Sequence, residues 1–137
     1  MICAVDDDAL APAVMETGAA VAERMGAPLV VVHCPHPDIY VTGEPRRLAI
    51  ERGHEFVDRL TDDYDVDERI VEVGDPRQLI TALSREGASM VVIGTSGKTG
   101  LRAAILGSVS HAVIAEAACP VVTVSEAAVE RLEAAAA

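Results

Sequence analysis

Aromatic residues are nearly absent from this sequence, which contains no tryptophan, one phenylalanine and two tyrosines among 137 residues. Half of the residues are nevertheless apolar, so the core must be built from Val, Ala, Leu and Ile. Small aliphatic side chains of this kind suit a parallel sheet that is covered by helices. At this length we expect one domain, residues 1–137, with a sizeable buried core.

Positive charge is also scarce, because one lysine and ten arginines stand against 22 acidic residues and give a net charge of −11. Binding a polyanion normally requires a basic patch, so the composition argues against nucleic acid as a partner. The acidic excess indicates a heavily hydrated surface, typical of the high-salt cytoplasm of a halophile. No apolar run reaches the roughly 18 to 20 residues of a membrane span, and no leader segment is recognisable. We therefore expect a soluble, cytoplasmic protein that does not enter a membrane.

The three cysteines, Cys3, Cys34 and Cys119, show neither a CxxC motif nor the spacing of metal ligands. An odd number of cysteines in an intracellular chain predicts small buried residues rather than disulfides. His33 and His36 lie close together at the end of a predicted strand and raise the question of a metal site. Since no acidic or thiolate partner has suitable local spacing, we interpret them as structural and predict no metal ligand from the protein.

The most informative stretch runs from Met90 to Ser110 and begins with an apolar segment that is typical of a buried strand. A glycine-rich segment follows, and a helix is predicted to start at its end. The spacing is Gly94-x-x-Gly97-x9-Gly107-Ser108. Backbone N–H groups at a helix start have no partner of their own, so this arrangement favours a phosphate-binding loop. Lys98, the one lysine of the sequence, lies within it. The alternative is that the glycines serve turn geometry alone.

A Walker A phosphate-binding loop is excluded, although Gly97-Lys98-Thr99 matches the end of that motif. The first glycine of the motif would fall on Val92, in the middle of the predicted strand. Gly100 also follows directly, where the helix of such a loop should already have begun.

Apolar periodicity predicts alternating strands and helices along the whole chain. The predicted strands are Met1 to Val5, Leu29 to His33, Arg69 to Val73, Met90 to Ile93 and Val121 to Ser125. The predicted helices are Leu10 to Met25, Pro45 to Leu60, Pro76 to Gly87 with Asp75 as its N-cap, Ser108 to Ala118 and Glu126 to Ala137. Residues 35–44 form the longest predicted irregular stretch, of a length that often contacts a ligand. This alternation predicts an α/β fold with right-handed crossovers and a parallel sheet.

Three acids, Asp6, Asp7 and Asp8, follow the first predicted strand. The dinucleotide fingerprint G-x-G-x-x-G would belong in this turn, and its absence argues against a classical NAD fold. The acids could accept hydrogen bonds from ribose hydroxyls or an adenine amine, or help to hold a divalent cation. They could equally cap the next helix. We expect both: one acid pointing at a ligand and another capping.

With these motifs in place, the chain resembles the universal stress protein family over essentially its full length. The matches are the strand ending in Asp6, His33 at the end of the second strand, the Gly74-Asp75-Pro76 helix start, and the glycine pattern, which coincides with the signature of the family's ATP-binding branch. The resemblance implies an open sheet of five parallel strands in the order 3-2-1-4-5 with helices on both faces, a Rossmann-like fold similar to the adenine nucleotide alpha-hydrolases. It places a ligand at the switch point between strands one and four. It also implies ATP as that ligand, with or without Mg²⁺ or Mn²⁺.

The resemblance also assigns roles to individual residues. Asp6 matches an aspartate at the adenosine part of the ligand, and Cys34 should meet adenine through its backbone. The glycines would let the backbone approach the phosphates, and Ser108 to Ser110 would cradle them with N–H groups and hydroxyls. The implied nucleotide-binding residues are Ala4, Val5, Asp6, Cys34, Gly94, Ser96, Gly97, Lys98, Gly107, Ser108, Val109 and Ser110. Arg102 is a further candidate.

Family resemblance also implies a homodimer, formed through the last strand, Val121 to Ser125, whose apolar edge would otherwise invite aggregation. We expect an ATP-binding regulator or sensor of stress rather than a catalyst. One alternative is a slow ATPase, for which His111 is the candidate general base. The other is a dimeric interaction or chaperone-like protein that works without nucleotide.

Overall fold

The computed structural model of the chain describes residues 1–36, 43–95 and 107–136. Strands and helices alternate along these residues, as the sequence predicts. In chain order they are β1 (Ile2–Ala4), α1 (Ala11–Met25), β2 (Val30–His33), α2 (Arg46–Leu60), β3 (Glu68–Val71), α3 (Pro76–Ser84), β4 (Val91–Gly94), α4 (Ser108–Glu116), β5 (Val121–Val124) and α5 (Glu126–Ala136). Within the described part of the chain, no helix is long and apolar enough to cross a membrane.

The five strands form one sheet in the order β3-β2-β1-β4-β5, and every neighbouring pair is parallel. Both the strand order and the parallel arrangement confirm the predicted fold class. At the centre of the sheet, Cys3 of β1 lies beside Val31 of β2 and Val92 of β4. The chain winds outward from β1 in one direction and from β4 in the other. Such a switch point leaves a crevice at the carboxyl ends of the two strands.

Successive side chains of a strand point to opposite faces of the sheet, and each face therefore has its own core. On one face, Cys3 packs in a cluster with Val14 of α1 and with residues of α2. On the other, Ile2 belongs to a cluster with Ile80 of α3 and Val113 of α4. Aliphatic side chains make up most of both clusters, in keeping with the composition, although α2 also contributes Phe56. Helices on both faces keep the central strands out of water.

Strand β3 differs from its prediction, since it covers Glu68–Val71 rather than Arg69 to Val73. Its partner β2 ends at His33, which pairs with Val71. Further along the chain, the backbone hydrogen-bonds to a group outside the sheet. The carbonyl of Val73 accepts a hydrogen bond from the guanidinium of Arg46 at 3.2 Å.

Helix ends also shift by one to three residues. Helix α2 begins at Arg46 because Pro45 is extended, with φ −69° and ψ 151°. Helix α4 ends at Glu116 because Ala117 is extended. Helix α3 starts as predicted, and the Asp75 carboxylate accepts from the N–H of Arg77 at 3.0 Å. Its last helical residue is Ser84 rather than Gly87, which lies beyond it with φ 94°.

Candidate functional site

A cavity of about 190 Å³ opens at the carboxyl edge of the sheet, between the ends of β1 and β4. Its floor is apolar and its rim is polar. The described residues that line it are Ala4, Val5, Asp6, Asp8, Leu10, Ala11, Val14, Val32, Cys34, His36, Pro76, Ile80, Ile93, Gly94, Thr95, Gly107, Ser108, Val109 and Ser110. Segments that are far apart in sequence therefore meet at the switch point of the sheet.

Every residue of the predicted site that the structure describes lines this cavity. They are Ala4, Val5, Asp6, Cys34, Gly94, Gly107, Ser108, Val109 and Ser110. Ser96, Gly97, Lys98 and Arg102 lie outside the described residues. The structure thus brings these nine residues together around one cavity. The binding role of each residue stays a prediction.

The first turn of α4 faces the cavity. Gly107 precedes the helix in an extended conformation and offers no side chain to cap it. The N–H of Gly107 donates to the carbonyl of Thr95, and the N–H of Thr95 donates to the carbonyl of Val124 at 3.0 Å. Thr95 thus ties the start of α4 to β4 and β5. The N-terminal N–H groups of a helix carry partial positive charge, which suits an anion at this end of the cavity.

The hydroxyl of Ser110, which is predicted to bind phosphate, makes hydrogen bonds within the protein. Its side chain is buried, and its hydroxyl lies 3.1 Å from the carbonyl of Thr95 and 3.0 Å from that of Gly107. A serine hydroxyl has one proton to donate, and here both nearby acceptors are backbone carbonyls. The group therefore fastens α4 to the end of β4. Ser108, the other serine of this turn, is exposed.

The packing around residue 94 also favours glycine, for a reason that the sequence did not show. A Cβ atom at this position would lie 3.3 Å from both Leu10 Cδ1 and Val14 Cγ2. Leu10 directly precedes α1 and Val14 lies in its first turn, so the start of this helix packs against the end of β4. The lack of a side chain at Gly94 lets the first turn of α1 close one wall of the cavity.

Two of the three acids after β1, Asp6 and Asp8, accept hydrogen bonds from nearby backbone N–H groups. The carboxylate of Asp6 accepts from the N–H of Asp7 at 2.9 Å, and Asp6 is half-buried on the cavity wall. The carboxylate of Asp8 accepts from the N–H of Leu10 at 2.8 Å, directly before α1. This bond stabilises the turn that leads into the helix. The N-cap of α1 is Leu10 and no side chain caps this helix, so the expected capping by one of the acids is not observed. Asp8 lines the cavity as well, so its charge acts on the site too.

His33 is a buried structural residue at the end of β2, with 2% of its surface exposed. Its Nδ1 lies 2.9 Å from the carbonyl oxygen of Val5 and is therefore the protonated, donating nitrogen. Burial lowers the pKa of His33, although Asp6 and Asp7 act in the opposite direction. Nε2 has no hydrogen-bond partner among the described residues, and the ring packs 4.8 Å from that of Phe56. The described residues contain no group of three ligating side chains that could hold a metal ion.

The cysteines match their predicted role in part. Cys3 and Cys34 are buried, whereas Cys119 is half-buried. Burial, together with the neighbouring carboxylates of Glu72, Asp6 and Asp75, raises the pKa of the Cys34 thiol to about 11. Cys34 is therefore a neutral thiol on the cavity wall rather than a nucleophile. Of these carboxylates, Asp6 lines the cavity and adds negative charge to its wall.

Sequence reasoning missed several lining residues, including Thr95, His36 and Ile80. Thr95 is a polar residue directly after an apolar strand, and this position could have indicated that it lines the cavity. His36 was considered as a metal ligand or structural residue, and its distance past the end of β2 was the clue to its position. Ile80 could be assigned to the cavity only once the packing of α3 was known.

Fold and cavity together define an open α/β protein with a cavity at the switch point of its sheet. The chain belongs to the universal stress protein family, whose family model matches residues 1–125.

Curated relatives carry the same family name. A universal stress protein from Thermus aquaticus, named for its position in the QAH/OAS sulfhydrylase 3′ region, is 33% identical over 111 residues, covering 75% of this chain and 81% of the relative. Universal stress protein YxiE of Bacillus subtilis is 23% identical over 144 residues, covering 90% and 97% of the two chains. With Universal stress protein MJ0531 of Methanocaldococcus jannaschii the match is local, 41% identity over 49 residues, which is 36% of this chain and 29% of the relative.

Solved structures share the fold. The protein MJ0577 has a TM-score of 0.76 and 20% identity, with 91% of this chain and 94% of the other covered. The universal stress protein from Archaeoglobus fulgidus in complex with dAMP has a TM-score of 0.64 and 22% identity, with coverage of 89% and 94%. A family protein from Arabidopsis thaliana with AMP bound has a TM-score of 0.55 and 20% identity, with coverage of 90% and 88%.

Proposed function

We propose that this protein binds an adenine nucleotide in the cavity between β1 and β4 and acts as a nucleotide-dependent regulator of the stress response. One observation carries the proposal: the first turn of α4 and the half-buried Asp6 face the same cavity at the switch point of the sheet. Helix N-terminal N–H groups bind phosphate, and a carboxylate accepts from ribose hydroxyls or an amine. A cytoplasmic location is part of the same proposal.

The orientation of the nucleotide follows from the two ends of the cavity. Phosphates belong beside Ser108 and Val109, where the helix N-terminus favours negative charge. The adenosine part belongs beside Asp6 and Cys34, across the ends of β1 and β2. Ile80 and Ile93 provide apolar surface between these ends, on which a base or sugar can pack.

Support for the ligand class comes from relatives of the same fold, whose structures contain AMP, dAMP or cAMP. We extend this ligand class to ATP on the glycine pattern that follows β4. The acids that line the cavity, Asp6 and Asp8, would repel a free triphosphate. Mg²⁺ or Mn²⁺ bound to the phosphates would reduce that repulsion, so we expect ATP to bind as its metal complex.

A homodimer through β5 belongs to the same proposal. This strand lies at the edge of the sheet with β4 as its neighbour, and Val121 and Val122 are half-buried on it. An edge with apolar side chains pairs readily with an identical strand across a two-fold axis.

The slow-ATPase alternative would require a general base beside the phosphates. His111 is exposed on α4 and is not among the described residues that line the cavity. The proposal therefore assigns no catalytic role to His111.

The test is calorimetric titration of the protein with AMP and with ATP·Mg at high salt, comparing the wild type with Ser108→Glu. A carboxylate at Ser108 would oppose phosphate at the start of α4, yet it would favour the helix itself by about 0.3–1 kcal/mol. We expect binding by the wild type and at least a tenfold loss in the variant.

Leu48→Glu is the matched control, because Leu48 is exposed in the first turn of α2 and does not line the cavity. This variant adds the same charge to a helix start and should bind like the wild type. Absence of binding by the wild type would overturn the nucleotide proposal and favour the nucleotide-independent dimeric protein.

A further inference from the structure

Arg52 of α2 joins two points of the chain that lie on either side of residues 37–42. Its Nε and Nη2 donate to the two carboxylate oxygens of Glu44, each at 3.1 Å. Nη2 also donates to the carbonyl oxygen of His36 at 3.2 Å. One guanidinium therefore fixes the position of His36 relative to Glu44 and to α2.

The backbone that carries Arg52 is itself held firmly against the end of β2. The next residue, Gly53, packs so closely that a Cβ would lie 2.8 Å from Val71 Cγ1 and 3.1 Å from Pro35 Cγ. Pro35 is fully buried. The chain that leaves β2 is thus clamped between α2 and the sheet up to Pro35, and it emerges at His36.

His36 emerges at the rim of the cavity. Its side chain is exposed, and it lines the cavity together with Cys34 and Asp6. Since β1 lies between β2 and β4 in the sheet, the ends of β2 and β4 are two strand spacings apart, about 10 Å. His36 therefore belongs to the end of the cavity away from the β4–α4 connection, where the proposed function puts the adenosine part.

We propose that His36 contacts the base of the bound nucleotide and that Arg52 is the positioning residue that holds it there, an inference that rests on the proposed function. An imidazole ring can stack on a purine or exchange hydrogen bonds with its edge. Arg52 suits the second task because a guanidinium donates in a rigid planar fork, which a lysine ammonium cannot reproduce. The side chain of Glu44 is 18% exposed and that of Arg52 is 44% exposed, so the pair is partly shielded from water.

The test is a double-mutant cycle on AMP binding, measured by calorimetry with the wild type, His36→Ala, Arg52→Ala and the double variant. Base stacking predicts about a tenfold loss of affinity in His36→Ala. Arg52→Ala should show a similar loss, and the double variant should lose no more than His36→Ala, because Arg52 acts through His36. Arg52→Lys should bind as weakly as Arg52→Ala.

Two controls separate positioning from a general structural effect. Ribose 5-phosphate lacks the base, so its competition with a fluorescent nucleotide analogue should give the same affinity for all four proteins. Arg47→Ala removes an arginine from the same helix, one whose side chain is 77% exposed and pairs with Glu51, and it should bind AMP like the wild type.

Wild-type affinity for AMP in His36→Ala or Arg52→Ala would overturn the inference and leave the proposed function standing. Multiplicative losses in the double variant, or an equal loss of ribose 5-phosphate affinity in Arg52→Ala, would overturn the positioning role. Failure of the wild type to bind AMP and ATP·Mg would overturn both the inference and the proposed function.

Discussion

The Nδ1 atom of His33 lies 2.9 Å from the carbonyl oxygen of Val5, and this hydrogen bond joins the end of β2 to the wall of the cavity. The ring is buried, and its remaining nitrogen has no partner among the described residues. Nδ1 therefore carries the donated proton, and burial favours the neutral ring, in which the second nitrogen is unprotonated. Protonation of the second nitrogen would put an unpaired charge beneath the site.

The first prediction is that acid destabilises the protein through His33. Burial lowers the pKa of His33 below 6.5, and the positive charge of Arg52 acts in the same direction. The negative charges of Asp6 and Asp7 oppose this shift but do not cancel it. The unfolded chain thus binds a proton near pH 6.5 that the folded protein does not, and the free energy of unfolding must fall as pH falls below that value. One such proton gives a slope of up to about 1.4 kcal/mol per pH unit.

Urea unfolding between pH 7.5 and 5.5 measures this slope. In His33→Asn the amide can still donate towards Val5 but does not titrate, so the slope should flatten although overall stability is lower. His54→Asn, at an exposed position of α2, should keep the wild-type slope. An unchanged slope in His33→Asn would contradict the assignment.

The second prediction concerns the packing of Gly94 against α1. Gly94→Ala would bring a methyl group to 3.3 Å from Leu10 and Val14, and overpacking of this kind lowers stability by about 1–3 kcal/mol. Gly74→Ala is the control, because a Cβ at Gly74 meets no atom within 4 Å and its φ is not positive. A shift of the urea midpoint in Gly94→Ala alone is expected, and equal behaviour of the two variants would refute the packing role.

The third prediction distinguishes the two serines of the first turn of α4. Ser110→Ala removes a buried hydroxyl that bridges carbonyl groups at 3.1 and 3.0 Å, and it should cost about 1 kcal/mol or more of stability. Ser108→Ala removes an exposed hydroxyl and should leave the unfolding midpoint within experimental error. Thermal unfolding of both variants measures the difference. Wild-type stability of Ser110→Ala would contradict the structural role of this hydroxyl and favour a role in ligand binding.

Much of the fold could be predicted because its signals are local. Buried apolar strands, the Asp75-Pro76 helix start and the alternation of elements predicted the parallel sheet, and the family resemblance gave its strand order. The ends of β3 could not be predicted, since they depend on where His33 ends β2.

For the site, the acids after β1 and the glycines around β4 predicted which segments would meet. The roles of Gly94 and Ser110 could not be predicted, because both depend on tertiary neighbours: α1 in one case and the carbonyl of Thr95 in the other. The link from Arg52 to His36 was equally invisible, since it joins residues 16 positions apart across two elements.

The fourth prediction is that β5 carries the dimer interface. Thr123 is exposed on this edge strand, between Val122 and Val124, so Thr123→Lys should leave the core undisturbed. Lysine on an edge strand opposes pairing with another strand, and a two-fold axis would bring two added charges close together. Analytical ultracentrifugation at moderate salt should show a dimer for the wild type and a monomer for Thr123→Lys. Thr123→Val, which keeps the size and adds strand propensity, should remain dimeric. A Thr123→Lys dimer of unchanged stability would contradict the prediction and indicate that the interface lies on another surface. A monomeric wild type would show that the β5 edge does not pair with a second copy of the chain.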